Sequence, residues 1–139
     1  MSTEQNKALV RRIIDELNKG NLNIIDEVSA PNVVFHFPGS PPLDLDGFKG
    51  LMGMFWSAFP DLETIIEELI AEGDTVVRRG HFRGTHRGEF QGIPATGKQV
   101  TVPMIAIERI VDGKVVEHRA SPDIMGMMQQ LGVIPAPGQ

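Results

Sequence analysis

The chain has 139 residues, 41% of them hydrophobic, with a formal net charge of −5. That is enough apolar content for one core, so a single domain over residues 1–139 is expected, and with the arginines scattered among acids no basic block faces nucleic acid or an anionic membrane. There is no cysteine, which excludes disulfides and thiolate chemistry, and no run of roughly 20 apolar residues to span a bilayer, so a cytoplasmic protein is expected.

Taken in order, Ser2 with Gln5 has the form of a capping box. Val10, Ile13, Ile14 and Leu17 then follow at helical spacing up to Gly20, which predicts a first helix. A shorter helical turn, Leu22 to Val28, is expected to end at Pro31, and VVFHF at 33–37 has the β-branched and aromatic content of a strand. After the loop PGSPPLDLDG, Asp46 is placed to start a second helix whose one face carries Phe48, Leu51, Met52, Phe55 and Phe59.

From Asp61 the period changes to that of strands. LETIIEELIAEG, TVVRRGHFRGTH, KQVTVPMIAIERIV and KVVEHRAS are four candidates, separated by Gly73-Asp74, a glycine-rich loop at 84–97 and the hairpin signal Asp112-Gly113. Ile124, Met127, Met128 and Leu131 mark a last short helix. Helices first and consecutive strands later predict an α+β fold with a mostly antiparallel sheet.

The chemistry sits in a small set of side chains. None of His36, His81, His86 and His118 has the spacing of a metal set, so no metal is expected. Alternation places His118 with Val116 and Ala120, opposite Val115, Glu117, Arg119 and Ser121, so His118 is expected to point inward. It is either a core histidine bonded to a backbone carbonyl or a pocket group. The same rule separates Arg79, His81 and Arg83 from Arg78, Gly80 and Phe82, and guanidinium groups on both faces imply a solvated edge or a polar cavity. Arg78 and Arg83 are expected to face solvent and pair with acids such as Glu108. Trp56 and the methionines, Met104 among them, suit an apolar pocket or the core. Asp123 follows Pro122 where the last helical pattern begins, which suits an N-cap; a catalytic base in that place would need an apolar pocket to raise its basicity. The stretch GTHRGEFQGIPATGK follows a strand without opening a helix, so it is not a phosphate cradle.

FPD at 59–61, AEGD at 71–74, GTHRGEFQGIPATGK at 84–98 and the closing EH, Asp and QLG elements resemble the SnoaL-like polyketide cyclase family over nearly the whole chain. The resemblance implies a fold like nuclear transport factor 2, in which a curved sheet is wrapped by N-terminal helices into a cone with an internal pocket, and copies pair as homodimers through the outer sheet face. It further implies a cofactor-independent aldol cyclisation of isomerase or lyase type. Asp123 would be the acid/base, His118 its helper, and His36, Trp56, Arg79, His81 and Met104 would hold a small apolar or aromatic carbonyl substrate. Relatives often carry tryptophan where this chain has Arg119, and an aromatic residue where it has Gly80; with His81, these exchanges would make the pocket roomier and more polar. Two other readings remain. In one, a non-catalytic binding protein holds an apolar ligand while Asp123 caps the last helix; in the other, Arg79 and Asp123 supply two members of an epoxide hydrolase set. Sites built on tyrosine hydroxyls are disfavoured, since the chain has no tyrosine.

Overall fold

A computed structural model describes residues 2–135. Helix α1 (Thr3–Asn18) begins at the expected capping box: the Gln5 amide donates to Ser2 Oγ at 3.1 Å and the Ser2 amide donates back to Gln5 Oε1 at 2.9 Å. Helix α2 (Asn23–Val28) runs directly into strand β1 (Ser29–His36). Pro31 therefore lies inside the strand rather than ending a turn, which is tolerated because β1 is a sheet edge. Helix α3 (Leu45–Ala58) is capped by Asp44 and not by Asp46. Asp44 has the extended backbone a cap needs and its Oδ1 accepts from the Gly47 amide at 2.8 Å, while Asp46 sits in the first turn.

Strands β2 (Glu63–Glu72), β3 (Thr75–Thr85), β4 (Gln99–Val111) and β5 (Lys114–Pro122) follow as consecutive antiparallel neighbours, and α4 (Ile124–Leu131) closes the chain. The sheet order is β1-β5-β4-β3-β2, with β1 parallel to β5, so the α+β sheet is mixed at one edge. Asp112 and Gly113 turn β4 into β5 with φ of 52° and 75°, the doubly left-handed geometry of a two-residue hairpin.

All helices bury one face of this sheet, and α3 bridges two apolar clusters. Phe48 stacks on Phe35 (ring centroids 4.1 Å apart) beside Val10, Ile13, Ile24 and Val115, whereas Phe55 and Phe59 meet Phe82 and Phe90 near Val102, Met127 and Leu131. Those of them that are fully buried, such as Val10, Ile24, Phe59, Phe90 and Met127, each contribute roughly 1.5–3 kcal/mol of transfer free energy. Polar ties fix the outer elements. The Asn18 side chain both accepts from and donates to the Thr64 backbone at 2.9 Å, and Gln130 does the same to Thr101 at 2.7 and 2.8 Å.

The motif strings acquire physical reasons. Asp61 accepts from the Thr85 amide and from its hydroxyl, both at 2.7 Å, and these bonds hold its carboxyl below the ordinary aspartate value. A Cβ on Gly88 would lie 2.3 Å from the Ser57 carbonyl oxygen, so only glycine lets the 84–98 loop lie on the end of α3. His86 is fully buried against Phe59 and accepts from the Thr96 amide at Nδ1, a structural role.

Two bulges set which side chains enter the interior. In β5 the register with β4 slips between Glu117 and Val115, and the extra residue, Val116, lets both Val115 and His118 face inward. Strict alternation places Val115 on the opposite face; the bulge is why it is not there. In β2 the slip leaves Glu67 unpaired, and the Ile65 carbonyl comes so close that a Cβ on Gly80 would sit 1.9 Å from it. The room expected at position 80 is thus taken by backbone. Gly80→Ala is expected to force β2 and β3 apart and lower the melting temperature by several degrees, read by calorimetry; an unchanged transition would mean that the bulge yields freely.

Candidate active site

Strands β3, β4 and β5 each place one ionisable side chain on the helix-covered face. Arg78, Glu108 and His118 are 7%, 7% and 6% exposed. His118 Nδ1 lies 2.8 Å from both Glu108 carboxylate oxygens, and Arg78 Nε lies 3.9 Å from Glu108 Oε1. The backbone explains the cluster: Glu108 pairs directly across from His118, and Arg78 lies opposite Ala106, one inward position along β4.

The imidazole sits among Phe35, Phe37 and Phe48 at centroid distances of 5.5, 5.7 and 5.8 Å. Burial alone would raise the Glu108 pKa, but attraction and a hydrogen bond from His118, with the charge of Arg78, outweigh it and hold the carboxyl below its ordinary value. Burial also pulls the Arg78 pKa down, offset in part by Glu108. Arg78 remains a cation whose Nε has no acceptor among the described residues.

This cluster forms the polar wall of an interior cavity of about 40 Å³. Apart from Ser29 its other walls are apolar and include Ile13, Ile14 and Leu17 of α1, Phe35 of β1 and Phe48 of α3. With Nδ1 turned to an ionised carboxylate, the neutral ring carries its proton on Nδ1 and leaves Nε2 as the basic nitrogen.

A second, open cleft of about 540 Å³ lies at the outer face of the sheet and gathers Arg79, His81, Met104 and Asp123 with Glu67 and Pro103. Three of the seven expected site residues, Arg79, His81 and Asp123, therefore meet there; Met104 borders the cleft but turns its Sδ inward to Arg78 Nη1 at 3.8 Å, and His118 is in the interior. Asp123 is the N-cap of α4: its Oδ1 accepts from the Gly126 amide at 2.9 Å, and a Cβ on Gly126 would meet the other oxygen at 2.2 Å. Arg79 is half-exposed and bonded to Glu67 and Glu68, and His81 Nδ1 lies 2.7 Å from Glu67. His36 is on β1, 3.7 Å from Glu117, and Trp56 is half-buried on α3; neither lines either cavity.

Arg83 faces solvent and pairs with Glu63, as expected, but Arg78 does not face solvent. It pairs with Glu108 inside the fold, because β3 turns every second residue from Val76 onward to the helices. The partner of His118 is likewise a carboxylate and not a backbone carbonyl. The signal missed was Glu108 itself: in VPMIAIERI it alternates in phase with Ala106 and Ile110, an acid on the apolar face. Among the described residues no group of three His, Asp or Glu has the geometry of a metal site, and no helix is long and apolar enough to cross a membrane.

Residues 7–131 match the family model described as SnoaL-like polyketide cyclase. Aklanonic acid methyl ester cyclase DauD of Streptomyces sp. (strain C5) is 34% identical over 134 residues, covering 89% of this chain and 80% of the relative. Nogalonic acid methyl ester cyclase of Streptomyces nogalater is 28% identical over 129 residues, covering 86% and 92%. Among solved structures, AclR of Streptomyces galilaeus, a proposed hydroxylase, superimposes with a TM-score of 0.89 at 31% identity over 96% of this chain and all of its own. IdmH of Streptomyces antibioticus, a proposed polyketide cyclase, does so with 0.84 at 32% over 92% and 99%. One frame thus carries more than one described chemistry, so the reaction has to be argued from the site.

Proposed function

Because the chain belongs to the SnoaL-like polyketide cyclase family, we propose that it is a cofactor-independent cyclase-type enzyme transferring protons beside a carbonyl, with His118 as acid/base. The observation that carries this reading is the buried His118–Glu108 pair beside a cationic Arg78 at the wall of an interior cavity.

His118 Nε2 takes a proton from the carbon next to a substrate carbonyl, and Glu108 stabilises the imidazolium that forms. The positive charge of Arg78 favours the enolate in surroundings that exclude water. The enolate carbon then bonds to a second carbonyl of the same molecule, and the resulting alkoxide takes the proton back from His118. Arg78 is here a substrate-side group, Glu108 a positioning residue, and Asp123 the cap of α4.

A second reading, with Asp123 as the base, is favoured by its place in the larger outer cleft beside Arg79, His81 and Met104. Exchange of α-protons for deuterium in a panel of small ketones and aromatic keto esters, followed by proton NMR, separates the two. His118→Asn should abolish most of the exchange. Asp123→Asn should leave the rate within a few-fold and cost at most about 1 kcal/mol of stability through its weaker cap. The opposite result would move the base to Asp123, and no exchange with any probe would favour a binding protein.

The outer sheet face supports pairing of two copies, since Ile70, Ile105, Ile107 and Val111 are all exposed there. Sedimentation of the unaltered protein should give twice the chain mass and Ile105→Lys the single-chain mass. Equal masses for the two would remove this face from the interface.

A further inference from the structure

The wall opposite the greasy side chains of α1 holds a guanidinium with too few partners. Among the described residues, the hydrogen-bond contact of Arg78 is the weak one from Nη1 to Met104 Sδ at 3.8 Å, and its Nε, fully buried, has no acceptor. Its nearest carboxylate is Glu108 at 3.9 Å, and both oxygens of Glu108 are turned on His118 at 2.8 Å. A buried cation left with unfilled donors is costly, and a well-packed apolar residue would normally serve stability as well or better. What fills such a fork with two parallel hydrogen bonds and a matching charge is a carboxylate.

The cavity agrees in size and in lining. At about 40 Å³, and taking roughly 10–15 Å³ for each water-sized occupant, it holds about three such groups, the extent of one carboxylate. Ile14, Leu17, Phe35 and Phe48 line the cavity too, so a carboxylate seated on Arg78 has apolar side chains around it and, among the described residues, no competing cation.

We propose that Arg78 is the anchor for a free carboxylate, so that this chain takes an apolar keto acid, in contrast to the methyl esters named for its curated relatives. A methyl ester is neutral and gives the guanidinium no charge partner. The proposal shares the interior cavity with the function proposed above, but its readout is binding and not turnover, so each can fail without the other.

The probes are acetate, butyrate and 3-phenylpropionate, each against its own amide, titrated into the unaltered protein while the His118 ring protons are followed by NMR. The carboxylates should shift those signals saturably and the amides should not. Arg78→Met should weaken carboxylate binding roughly tenfold to a hundredfold, the worth of one charge-assisted pair, read by calorimetric titration. Equal response to acid and amide in the unaltered protein would overturn the assignment, and that comparison stands even if Arg78→Met folds poorly. Undiminished binding by a folded Arg78→Met protein would overturn it as well.

Discussion

His118→Asn is expected to slow α-proton exchange by about 10² to 10⁴, the usual worth of a positioned general base, with the fold kept. Asparagine presents an N–H near the place of Nδ1, so Glu108 keeps a donor at the site where it now meets the ring at 2.8 Å. What is lost is the second nitrogen, which has no hydrogen-bond partner among the described residues. Glu108→Gln should also lower kcat while leaving KM nearly unchanged, because it removes the charge that stabilises the imidazolium and touches no substrate. If His118→Asn retained full exchange while Glu108→Gln lost it, His118 would be a spacer and Glu108 the base. Kinetics on the two single variants and the double variant tell these apart, since residues that act as one unit lose no more together than apart.

Glu108→Ala is expected to destabilise the fold by about 3–5 kcal/mol, because it leaves Arg78 in the interior without a counter-charge. Adding Arg78→Met should recover much of that loss, and urea unfolding of the four members of the cycle gives the coupling directly. A loss that Arg78→Met does not relieve would mean that the cost comes from the cavity and not from the charge.

The same pair gives a pH dependence whose sign is fixed. The Glu108 carboxyl titrates below its ordinary value of 4.5 in the fold, so the unfolded chain binds more protons near that pH. The stabilisation is fully present above about 4.5 and is lost as pH falls through the folded value. Asp61, held below 3.8 by Thr85, acts with the same sign. Glu108→Gln should therefore flatten the acid limb of the stability curve in part, leaving the share of Asp61.

The elements were legible where one local rule dominated. The Ser2–Gln5 box, the Asp112-Gly113 turn and the two-residue alternation of β3 need no knowledge of neighbours, and each is found where its rule put it. The site was legible only in part, because its members meet across strands. That His118 points inward follows from alternation, but that Glu108 stands opposite it depends on the β4–β5 register, which the bulge at Val116 shifts. A lone guanidinium in the core is costly, which places Arg78 in solvent until Glu108 is found beside it. Asp123 stands where a cap is expected, yet its separation from His118 is a consequence of sheet faces that spacing along the chain does not reveal.

Gln130 has an effect reaching beyond α4. Strand β5 ends at Pro122, opposite Met104, so the first residues of β4 have a strand neighbour on the β3 side only. An amide and carbonyl left facing outward there would be a template for a foreign strand, the usual beginning of edge-to-edge aggregation. By occupying both groups of Thr101, the Gln130 carboxamide acts as a one-residue stopper on that edge, so the last helix also protects the chain from its own kind during crowding or partial unfolding.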